Sequence, residues 1–378
     1  MQPPVVILAA GEGKRLSPLT NTRPKPMLPV ANKPLLEYVL ESAIAAGTDR
    51  VIFVIGYRGE RIRNYFGNGE DWGVSIEYVE QATQLGTGHA ILQVADVVED
   101  QFLVVNGDRV IDPEIIAAVR DVETTPALAI TRAEFPSTFG VVEIQGRQLV
   151  HLEEKPLEPS PAALINAGVY QFDASIFGAI ERTTREDGEL PITSTLDRLA
   201  SETEIPVVQY DGRWLDVTYL WDLLTVNALQ VDRVAEPHEG SIAEDVVLDQ
   251  GVDMGPHTTI GGGTAIGGNV RIGASAVIET SVVLPDAKIG PGAILRDAIV
   301  GANANIGPNV TIEGGSASVQ VGNQIYDGVT LGAVIGDNAH VGGGAVIAPG
   351  TVIGDGARVA SGTRVRGHVP PGTEVTPG

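Results

Sequence analysis

Residues 5–30 read VVILAAGEGKRLSPLTNTRPKPMLPV. The apolar run that opens this stretch predicts a buried strand, and the residues after it predict a glycine-rich loop. Gly11 and Gly13 would let backbone N–H groups approach an anion closely. Arg15 and Lys25 add positive charge, and prolines on both sides of Lys25 restrict the backbone around it. The stretch therefore predicts a polyphosphate-binding loop directly after the first strand of a sheet.

Strand and helix patterns alternate through the first half of the chain. Apolar residues at helical spacing predict a helix that starts at Pro34 and ends before Gly47. The patterns after it predict strands at 51–55, 76–79 and 102–105 and helices at 60–66 and 88–94. This alternation is typical of a mostly parallel, doubly wound α/β sheet of the Rossmann-like kind. Ligands of such sheets bind at the carboxyl ends of the strands, where the glycine loop lies.

The pattern then changes to an aliphatic residue at every sixth position, often followed by glycine. This period predicts a left-handed parallel β-helix, a narrow prism filled by aliphatic side chains. The inward-facing residues are predicted in three registers: Ile260, Ile266, Ile272, Ile278 and Leu284; Ile294, Val300, Ile306 and Ile312; Ile335, Val341, Ile347, Ile353, Val359 and Val365. The period breaks between Glu313 and Leu331, which predicts a loop that leaves the prism. We therefore predict an α/β domain at 1–232, a linker at 233–240 and a β-helix domain at 241–378.

The composition excludes several classes of protein. The chain has no cysteine, which excludes disulfides and thiolate metal sites. No apolar run is long enough to span a membrane and the N-terminus lacks a secretory signal pattern, so we expect a cytoplasmic protein. The formal charge of −23 makes nucleic acid a poor partner, because phosphate backbones need a basic surface.

A second glycine-rich segment, QATQLGTGH, occupies residues 81–89. The carboxamide of Gln81 can offer a donor and an acceptor to a pyrimidine edge. Gly86 and Gly88 would let a base lie against the backbone. The alternative is an ordinary turn between a strand and a helix, and in either case we expect His89 to be structural.

Two aspartates each follow an apolar run, Asp108 after Asn106-Gly107 and Asp216 after Trp214-Leu215. Carboxylates at the ends of strands are well placed to hold Mg²⁺ against phosphate oxygens. Either aspartate alone could be a cap or turn residue, so this prediction depends on the pair. Between them, carboxylate and amide groups could line a sugar pocket, although a solvated β-hairpin fits them equally well: Gly140, Glu153 or Glu154, Lys155 and Asn166.

These segments together resemble a known family. GEGKRLSPLT, RPKPM, QLGTGHA, NGD, EEKP, NAGVY and WLD match, in order, the motifs of sugar-1-phosphate nucleotidylyltransferases over residues 4 to about 232. With the hexapeptide repeats, the layout is similar to archaeal glucose-1-phosphate uridylyl- or thymidylyltransferases and to N-acetylglucosamine-1-phosphate uridylyltransferase. The resemblance implies transfer of UMP or dTMP from UTP or dTTP to glucose-1-phosphate or a close relative, with Mg²⁺ and with release of pyrophosphate.

The resemblance also implies roles for the matched residues. It assigns catalysis to Arg15, Lys25 and Asp108 and Mg²⁺ binding to Asp108 and Asp216. The residues implied for the nucleotide are Leu8, Ala10, Gly11, Gly13, Gln81, Gly86, Thr87 and Gly88. Those implied for the sugar phosphate are Asn106, Gly140, Glu153, Glu154, Lys155 and Asn166.

Two other functions stay open at this point. Some relatives use the repeat domain as an acetyltransferase with a histidine base, but the segment 313–331 has no histidine. His340 is the one plausible substitute, and we expect it to be a surface residue. A non-catalytic regulatory homologue is the third alternative. The presence of all four charged residues of the predicted site disfavours it: Arg15, Lys25, Asp108 and Asp216. The β-helix is in any case expected to form a homo-oligomer, since trimers are common in the resembling families.

The first testable prediction concerns salt. The chain carries five lysines and 20 arginines against 48 acidic residues, a balance typical of proteins that work in high salt. We expect the thermal unfolding midpoint to rise between low and molar KCl, because screening weakens the repulsion between carboxylates. The measurement is a melting curve by circular dichroism at both salt concentrations. An unchanged midpoint would favour the alternative, an ordinary acidic enzyme.

Overall fold

The structure is a computed structural model that describes residues 2–186, 188–235 and 241–376. The chain divides into two compact units. Unit 1 contains Met1–Glu12, Pro24–Met27 and Leu35–Leu215, and unit 2 contains Gly13–Arg23, Leu28–Pro34 and Asp216–Gly378. Residues 236–240 of the predicted linker lie outside the described residues. The described part of the chain includes no helix that is both long enough and apolar enough to cross a bilayer.

Unit 1 is built on a nine-stranded sheet flanked by helices. The sheet strands are β1 (Val5–Ala9), β2 (Arg50–Ile55), β3 (Ser75–Glu80), β4 (Phe102–Asn106), β6 (Ala127–Arg132), β7 (Gly140–Gln145), β8 (Gln148–Glu154), β9 (Leu164–Phe172) and β10 (Val207–Gln209), while β5 (Arg109–Ile111) pairs separately with β11 (Trp214–Asp216). The helices are α1 (Leu35–Ala45), α2 (Gly59–Phe66), α3 (Thr87–Leu92), α4 (Pro113–Arg120), α5 (Ser175–Glu181) and α6 (Ile192–Ala200).

The predicted α/β fold is confirmed, and its strand directions divide the sheet into two halves. The order is β8-β7-β9-β4-β1-β2-β3, with β6 beside β9 and β10 beside β6. Strands β4, β1, β2 and β3 are parallel, as the alternation with helices predicts. Strand β9 is antiparallel to β4, and β7 and β8 form a hairpin whose turn includes Gly146. Of these antiparallel pairs, only β7 and β8 are joined by a short turn.

The parallel strands are apolar on both faces because both faces are covered. Val6 and Val104 belong to one buried cluster, whereas their neighbours Ile7 and Val105 belong to the other. Successive side chains of a strand point to opposite faces, so two clusters mean two packed layers. This is the doubly wound arrangement, and it places the carboxyl ends of the parallel strands of unit 1 at one edge of the sheet.

Unit 2 consists mainly of the left-handed β-helix, whose strands form three parallel sheets. The first sheet contains Val246–Leu248, Thr264–Ile266, Val282–Val283, Ala298–Val300, Ala333–Ile335, Thr351–Ile353 and His368–Val369. The second contains Asp253–Met254, Arg271–Ile272, Lys288–Ile289, Asn305–Ile306, His340–Val341, Arg358–Val359 and Glu374–Val375. The third contains Thr259–Ile260, Val277–Glu279, Ile294–Arg296, Thr311–Ile312, Val346–Ile347 and Arg364–Val365.

The aliphatic core of the prism confirms the predicted registers at all but two positions. The core contains Val283 and Leu295, whereas the prediction placed Leu284 and Ile294 inside. The register shifts because successive coils pair Ile278 with Leu295, a spacing of 17 residues (295 − 278), whereas Ile260 pairs with Ile278, a spacing of 18 (278 − 260). A coil one residue shorter moves the inward position by one, which the strict six-residue period could not show.

The predicted excursion between Glu313 and Leu331 is an antiparallel hairpin of β12 (Ser316–Val321) and β13 (Gln324–Thr330). Tyr326 of β13 donates a hydrogen bond to Gln324 Oε1 and lies against Tyr219, with the two hydroxyl oxygens 2.7 Å apart. Tyr219 caps α7 (Leu220–Val234). The hairpin therefore packs beside the start of α7.

Two short segments from the start of the chain complete unit 2. Asp337, at a corner of the β-helix, accepts hydrogen bonds from Thr22 and Arg23 at 2.5 Å, and Asp355 accepts one from Asn21 at 2.8 Å. Arg23 and Asp337 are both buried. Asn227 of α7 accepts a hydrogen bond from the backbone N–H of Ala31 at 2.9 Å. These polar contacts fix Gly13–Arg23 and Leu28–Pro34 against the coils and α7.

The buried ion pair generates a stability prediction. Asp337→Asn keeps the side-chain size but removes the carboxylate that pairs directly with the buried Arg23 guanidinium, and breaking such a pair typically costs about 3–5 kcal/mol of unfolding free energy. Urea unfolding followed by circular dichroism measures the change. Asp253→Asn is the matched control, because Asp253 is exposed on a strand of the same β-helix. Equal unfolding curves for both variants would show that the pair adds no stability.

Candidate functional site

The candidate site of unit 1 lies at one edge of the parallel strands. Gly11 comes two residues after β1, Gln81 directly after β3, and Asp108 two residues after β4. Because these strands are parallel, their carboxyl ends meet at the same edge, where doubly wound sheets bind ligands. Gly11 is exposed, and a Cβ added there would meet no atom within 4 Å. Its backbone is therefore open to an approaching ligand.

Asp108 is held between two cations. Lys25 Nζ donates a hydrogen bond to Asp108 Oδ2 at 2.6 Å, and Arg109 Nη1 lies 3.3 Å from Asp108 Oδ1. Burial by itself would raise the pKa of Asp108, but Arg109 and Lys25 hold that pKa well below its usual value. The carboxylate is therefore ionised at neutral pH, and the three groups together carry one net positive charge.

Arg109 is held in turn by two aromatic rings. Its guanidinium carbon lies 5.0 Å from the centre of the Trp214 ring and 5.6 Å from that of Phe139. The indole N–H of Trp214 donates to the carbonyl of Ala167 at 2.8 Å, which fixes the ring. Such cation–π contacts favour a guanidinium over an ammonium. The sequence prediction missed Arg109, although its position directly after Asp108 was an available signal.

Close backbone packing sets the position of Asp108. The N–H of Gly107 donates to the carbonyl of Leu8 at 2.9 Å, and a Cβ at Gly107 would lie 2.8 Å from that oxygen. Glycine is therefore required at this position. The carbonyl of Ala10 similarly accepts a hydrogen bond from the N–H of Tyr57 at 3.3 Å. Leu8 and Ala10 thus hold neighbouring loops of the site through their backbone carbonyl groups.

The predicted sugar residues form two adjacent contacts. Gly140 pairs with Glu154 across the β7–β8 hairpin, and Glu154 forms an ion pair with Lys155 at 2.8 Å. Glu153 is exposed and points to the opposite face of β8 from Glu154. The structure therefore selects Glu154 of the two carboxylates as the one that faces Gly140.

The second contact links Asn166 to Tyr170 and Gly168, and Gly168 in turn packs against Asn106. The amide of Asn166 donates to the hydroxyl of Tyr170 at 2.7 Å, and its oxygen accepts from the N–H of Gly168 at 3.0 Å. A Cβ on Gly168 would lie 2.5 Å from Asn106 Nδ2. Burial raises the pKa of Tyr170, so its hydroxyl stays protonated. The sequence prediction included Tyr170 in the NAGVY motif but assigned it no role in the site.

Within the predicted nucleotide segment 81–89, the Gln81 side chain contacts Gly86 and His89. Its Nε2 lies 2.9 Å from His89 Nδ1 and donates to the Gly86 carbonyl at 3.3 Å. The glycines beside it are required by internal packing, since a Cβ on Gly86 or Gly88 would lie 2.9 Å or 2.7 Å from the Leu190 backbone. The hydroxyl of Thr87 accepts a hydrogen bond from the N–H of Ile192 at 3.0 Å. The role of these residues toward a base remains a prediction.

The remaining predicted residues, Gly13, Arg15 and Asp216, belong to unit 2. Gly13 adopts a φ of 71°, which favours glycine, and its carbonyl accepts from the Thr20 hydroxyl at 3.0 Å. Arg15 is exposed, with its guanidinium carbon 5.9 Å from the centre of the Tyr219 ring. Asp216 accepts a hydrogen bond from the Thr218 hydroxyl.

The carboxylates of the site fit a magnesium ion whose coordination is completed by phosphate oxygens and water. Among the described residues, no group of three or more histidines and carboxylates could hold a metal by itself. Magnesium needs only one or two carboxylates when water and phosphate oxygens supply the other ligands. The ionised carboxylate of Asp108 meets that requirement in unit 1.

Comparison with known families matches nearly the whole chain. Residues 4–233 match the nucleotidyl transferase family, residues 242–332 the GMPPB C-terminal domain, and residues 332–367 the bacterial transferase hexapeptide repeats. The structure also resembles a protein from Bacillus anthracis described as a glucose-1-phosphate thymidylyltransferase. The TM-score is 0.56 at 25% identity, over 62% of this chain and 97% of that one.

Three curated relatives are similar over about two thirds of the chain. The bifunctional protein GlmU of Methanocaldococcus jannaschii is 37% identical over 64% of this chain and 58% of its own length. The low-salt glycan biosynthesis nucleotidyltransferase Agl11 of Haloferax volcanii is 33% identical over 66% and 72%. The glucose-1-phosphate thymidylyltransferase of Streptomyces griseus is 34% identical over 68% and 77%. The match thus spans less than two thirds of the GlmU relative.

Two glycines with positive φ provide a matched test of the site's packing. Gly168→Ala would push a Cβ into Asn106, whereas the same change at Gly146 meets no atom within 4 Å. A positive φ costs alanine about 1–2 kcal/mol at either position. We expect Gly168→Ala to lose about 1–3 kcal/mol more, because overpacking is added. Urea unfolding measures both, and equal losses would mean that Asn106 moves aside freely.

Proposed function

Because the chain belongs to the nucleotidyl transferase family, we propose that it transfers UMP or dTMP from UTP or dTTP to a sugar-1-phosphate and releases pyrophosphate. Glucose-1-phosphate or a close relative is the proposed acceptor. The observation that carries the proposal is the Lys25–Asp108–Arg109 group at the ligand edge of the sheet. One net positive charge beside an exposed glycine backbone is suited to an anionic substrate.

The proposed reaction requires no proton transfer by the protein. An oxygen of the sugar-1-phosphate attacks the α-phosphorus of the nucleoside triphosphate, and the bond from that phosphorus to pyrophosphate breaks on the opposite side. The attacking oxygen is already anionic, so no general base is required. The protein must hold two repelling anions in line and neutralise the charge that develops between them. We assign the first task to the loop backbone at Gly11 and Gly13 and the second to Lys25 and Arg15.

The Lys25–Asp108 contact suits this role because it fixes the ammonium group before substrate binds. Lys25 lies in a short 3-10 helix, Lys25–Met27, between two prolines. Its side chain is 14% exposed, so it keeps access to a ligand while its carboxylate partner limits its motion. A prepositioned cation needs little reorganisation when charge develops.

Magnesium is the proposed cofactor. Asp108 would hold it, with Asp216 as the second proposed ligand. When bound, the ion would neutralise phosphate oxygens and orient the triphosphate. The chain's own residues then bind the rest of the substrates. We assign the base to Gln81 and the residues 86–88. We assign the sugar phosphate to Asn106, Gly140, Glu154, Lys155 and Asn166, and not to Glu153, which points to the other face of β8.

The repeat domain has proposals of its own. We infer a homotrimer formed through the β-helix, in a cytoplasmic protein adapted to high salt. Similarity to a relative described as a bifunctional protein favours, as a second candidate, the acetyltransferase activity that the resemblance leaves open for the β-helix. His340 is its proposed base and is exposed on the second sheet of the prism. Turnover of acetyl-CoA with glucosamine-1-phosphate would distinguish this second candidate from the first.

The decisive experiment measures pyrophosphate release with Mg²⁺ in low and molar KCl. UTP, dTTP, GTP and ATP are each paired with glucose-, N-acetylglucosamine-, glucosamine- and mannose-1-phosphate. We expect release with UTP or dTTP and one sugar phosphate, and loss of release when a chelator removes the metal. No release from any pair by folded protein would contradict the proposal and favour the non-catalytic homologue.

Variants then test the charged group. Lys25→Met and Asp108→Asn each remove a prepositioned charge, and we expect each to lower kcat/KM by about 10²–10³-fold. Lys288→Met is the matched control, because Lys288 is exposed on a β-helix strand. Circular dichroism shows that each variant is folded. Activities equal to that of the control would exclude Lys25 and Asp108 from the reaction.

A further inference from the structure

The β12–β13 hairpin interrupts the regular coils of the β-helix, and no residue of the proposed reaction lies on it. Two of its side chains, Ala317 and Val319, are buried. A Cβ on Gly350, in a neighbouring coil, would lie 3.0 Å from the Cβ of Ala317, so the hairpin packs closely against that coil. The N–H of Gly350 also donates to the carbonyl of Leu331 at 2.8 Å, where the chain returns to the prism. The hairpin is therefore a well-anchored projection from the β-helix.

Tyr326 of β13 makes the contact between this hairpin and the start of α7. Its hydroxyl donates to Gln324 Oε1 at 2.7 Å, which uses its single hydrogen. The Tyr219 hydroxyl, 2.7 Å away, is therefore the donor to the Tyr326 oxygen. The ring of Tyr219 lies 4.8 Å from that of Tyr326 and stacks on Trp221 at 4.7 Å and 12°. A hydrogen bond and two ring contacts thus fix Tyr219 within an aromatic cluster of Tyr219, Trp221 and Tyr326.

Arg15 lies against this aromatic cluster. Its side chain is exposed, and its guanidinium carbon lies 5.9 Å from the centre of the Tyr219 ring. Burial and the hydrogen bond to Tyr326 raise the pKa of Tyr219 to about 12, so the ring is uncharged at neutral pH. Within the described residues, no carboxylate forms an ion pair with Arg15. A neutral ring attracts a guanidinium without cancelling its charge, so the full positive charge of Arg15 stays available to an anionic ligand.

We propose that the β12–β13 hairpin, through Tyr326 and Tyr219, holds the Arg15 guanidinium in place for the phosphates of the nucleoside triphosphate. Tyr219 and Tyr326 are then positioning residues for nucleotidyl transfer. An exposed arginine is otherwise mobile, and fixing it before substrate binds reduces the reorganisation needed when charge develops. The inference rests on the role that the proposed function assigns to Arg15. It gives a task to a hairpin segment, 313–331, that contains no histidine for acetyl transfer.

Substitutions in the aromatic cluster test whether the ring or the hydroxyl matters. Tyr219→Leu removes both, and we expect kcat/KM for the triphosphate to fall by about three- to thirtyfold, the range of a cation–π contact. Tyr219→Phe keeps the ring and should restore most of that loss. Tyr326→Ala removes the support from the hairpin and should lower kcat/KM in the same direction. The matched control is Ile325→Ala, because Ile325 is exposed and points to the opposite face of β13.

A double-mutant cycle with Arg15→Met separates positioning from a general structural effect. A positioning residue acts only through Arg15, so Tyr219→Leu should change kcat/KM by less than about twofold once Arg15 is replaced. Equal losses in the presence and absence of Arg15 would overturn the inference. Circular dichroism shows which variants are folded. If Tyr219→Leu does not fold, Tyr326→Ala enters the same cycle, since it leaves the sequence of α7 unchanged.

Binding of inorganic pyrophosphate with Mg²⁺, measured by titration calorimetry, repeats the cycle without any turnover. A wild type that releases no pyrophosphate from any substrate pair contradicts the proposed function, whereas the binding cycle still tests the contact between Tyr219 and Arg15. We expect Tyr219→Leu to weaken binding by about threefold or more when Arg15 is present and not when it is replaced. Absence of binding to the wild type, or an equal loss in both backgrounds, would show that Tyr219 does not act through Arg15.

Discussion

The charge of Asp108 at the edge of the sheet is the interaction on which the site of unit 1 depends. Burial opposes that charge, and Arg109 and Lys25 offset the effect by lying against the carboxylate. Each cation needs its own support, because a long charged side chain is otherwise mobile. Prolines flank Lys25, and the rings of Phe139 and Trp214 hold Arg109. The site is therefore a small electrostatic network rather than a row of independent ligands.

The same network shows why a glycine-rich phosphate loop alone would be insufficient to bind an anionic substrate beside Asp108. An ionised carboxylate repels phosphate, and it is compatible with an anionic substrate only when cations outnumber it or a metal ion joins it. Lys25 and Arg109 supply the first condition around Asp108. Magnesium, as proposed, supplies the second. The two conditions act together, since the ion would neutralise phosphate oxygens that the cations cannot all reach.

Unit 2 shows that the β-helix also holds residues from the start of the chain. Gly13–Arg23 is bonded to Asp337 and Asp355, and Arg15 of that segment lies over Tyr219, whose hydroxyl meets the β12–β13 hairpin. Displacing this segment would break the buried Arg23–Asp337 ion pair, which is strongly unfavourable. The coils thus help to define the conformation of a segment to which the sequence assigns catalysis, independently of any acetyl transfer or oligomer.

The sequence alone determined both architectures and the order of the site motifs. Strand–helix alternation and a six-residue period are local consequences of which side chains must be buried, so they can be read without contacts. The sequence also pointed to Lys25, Asp108 and Gln81. It did not show the antiparallel half of the sheet or the shorter coils that move Leu284 and Ile294 out of the core.

Only the tertiary structure decided how the chemical groups are paired. Arg109 against Trp214 and Gln81 against His89 depend on turns and strand order, which bring together side chains that local patterns treat separately. It also decided that Glu154 rather than Glu153 faces Gly140, because strand register fixes which of two neighbours points to a given face. Charge state and hydrogen-bond direction follow from such pairings. A sequence therefore reveals which groups are available, and folding decides whether each one donates, accepts or carries a charge.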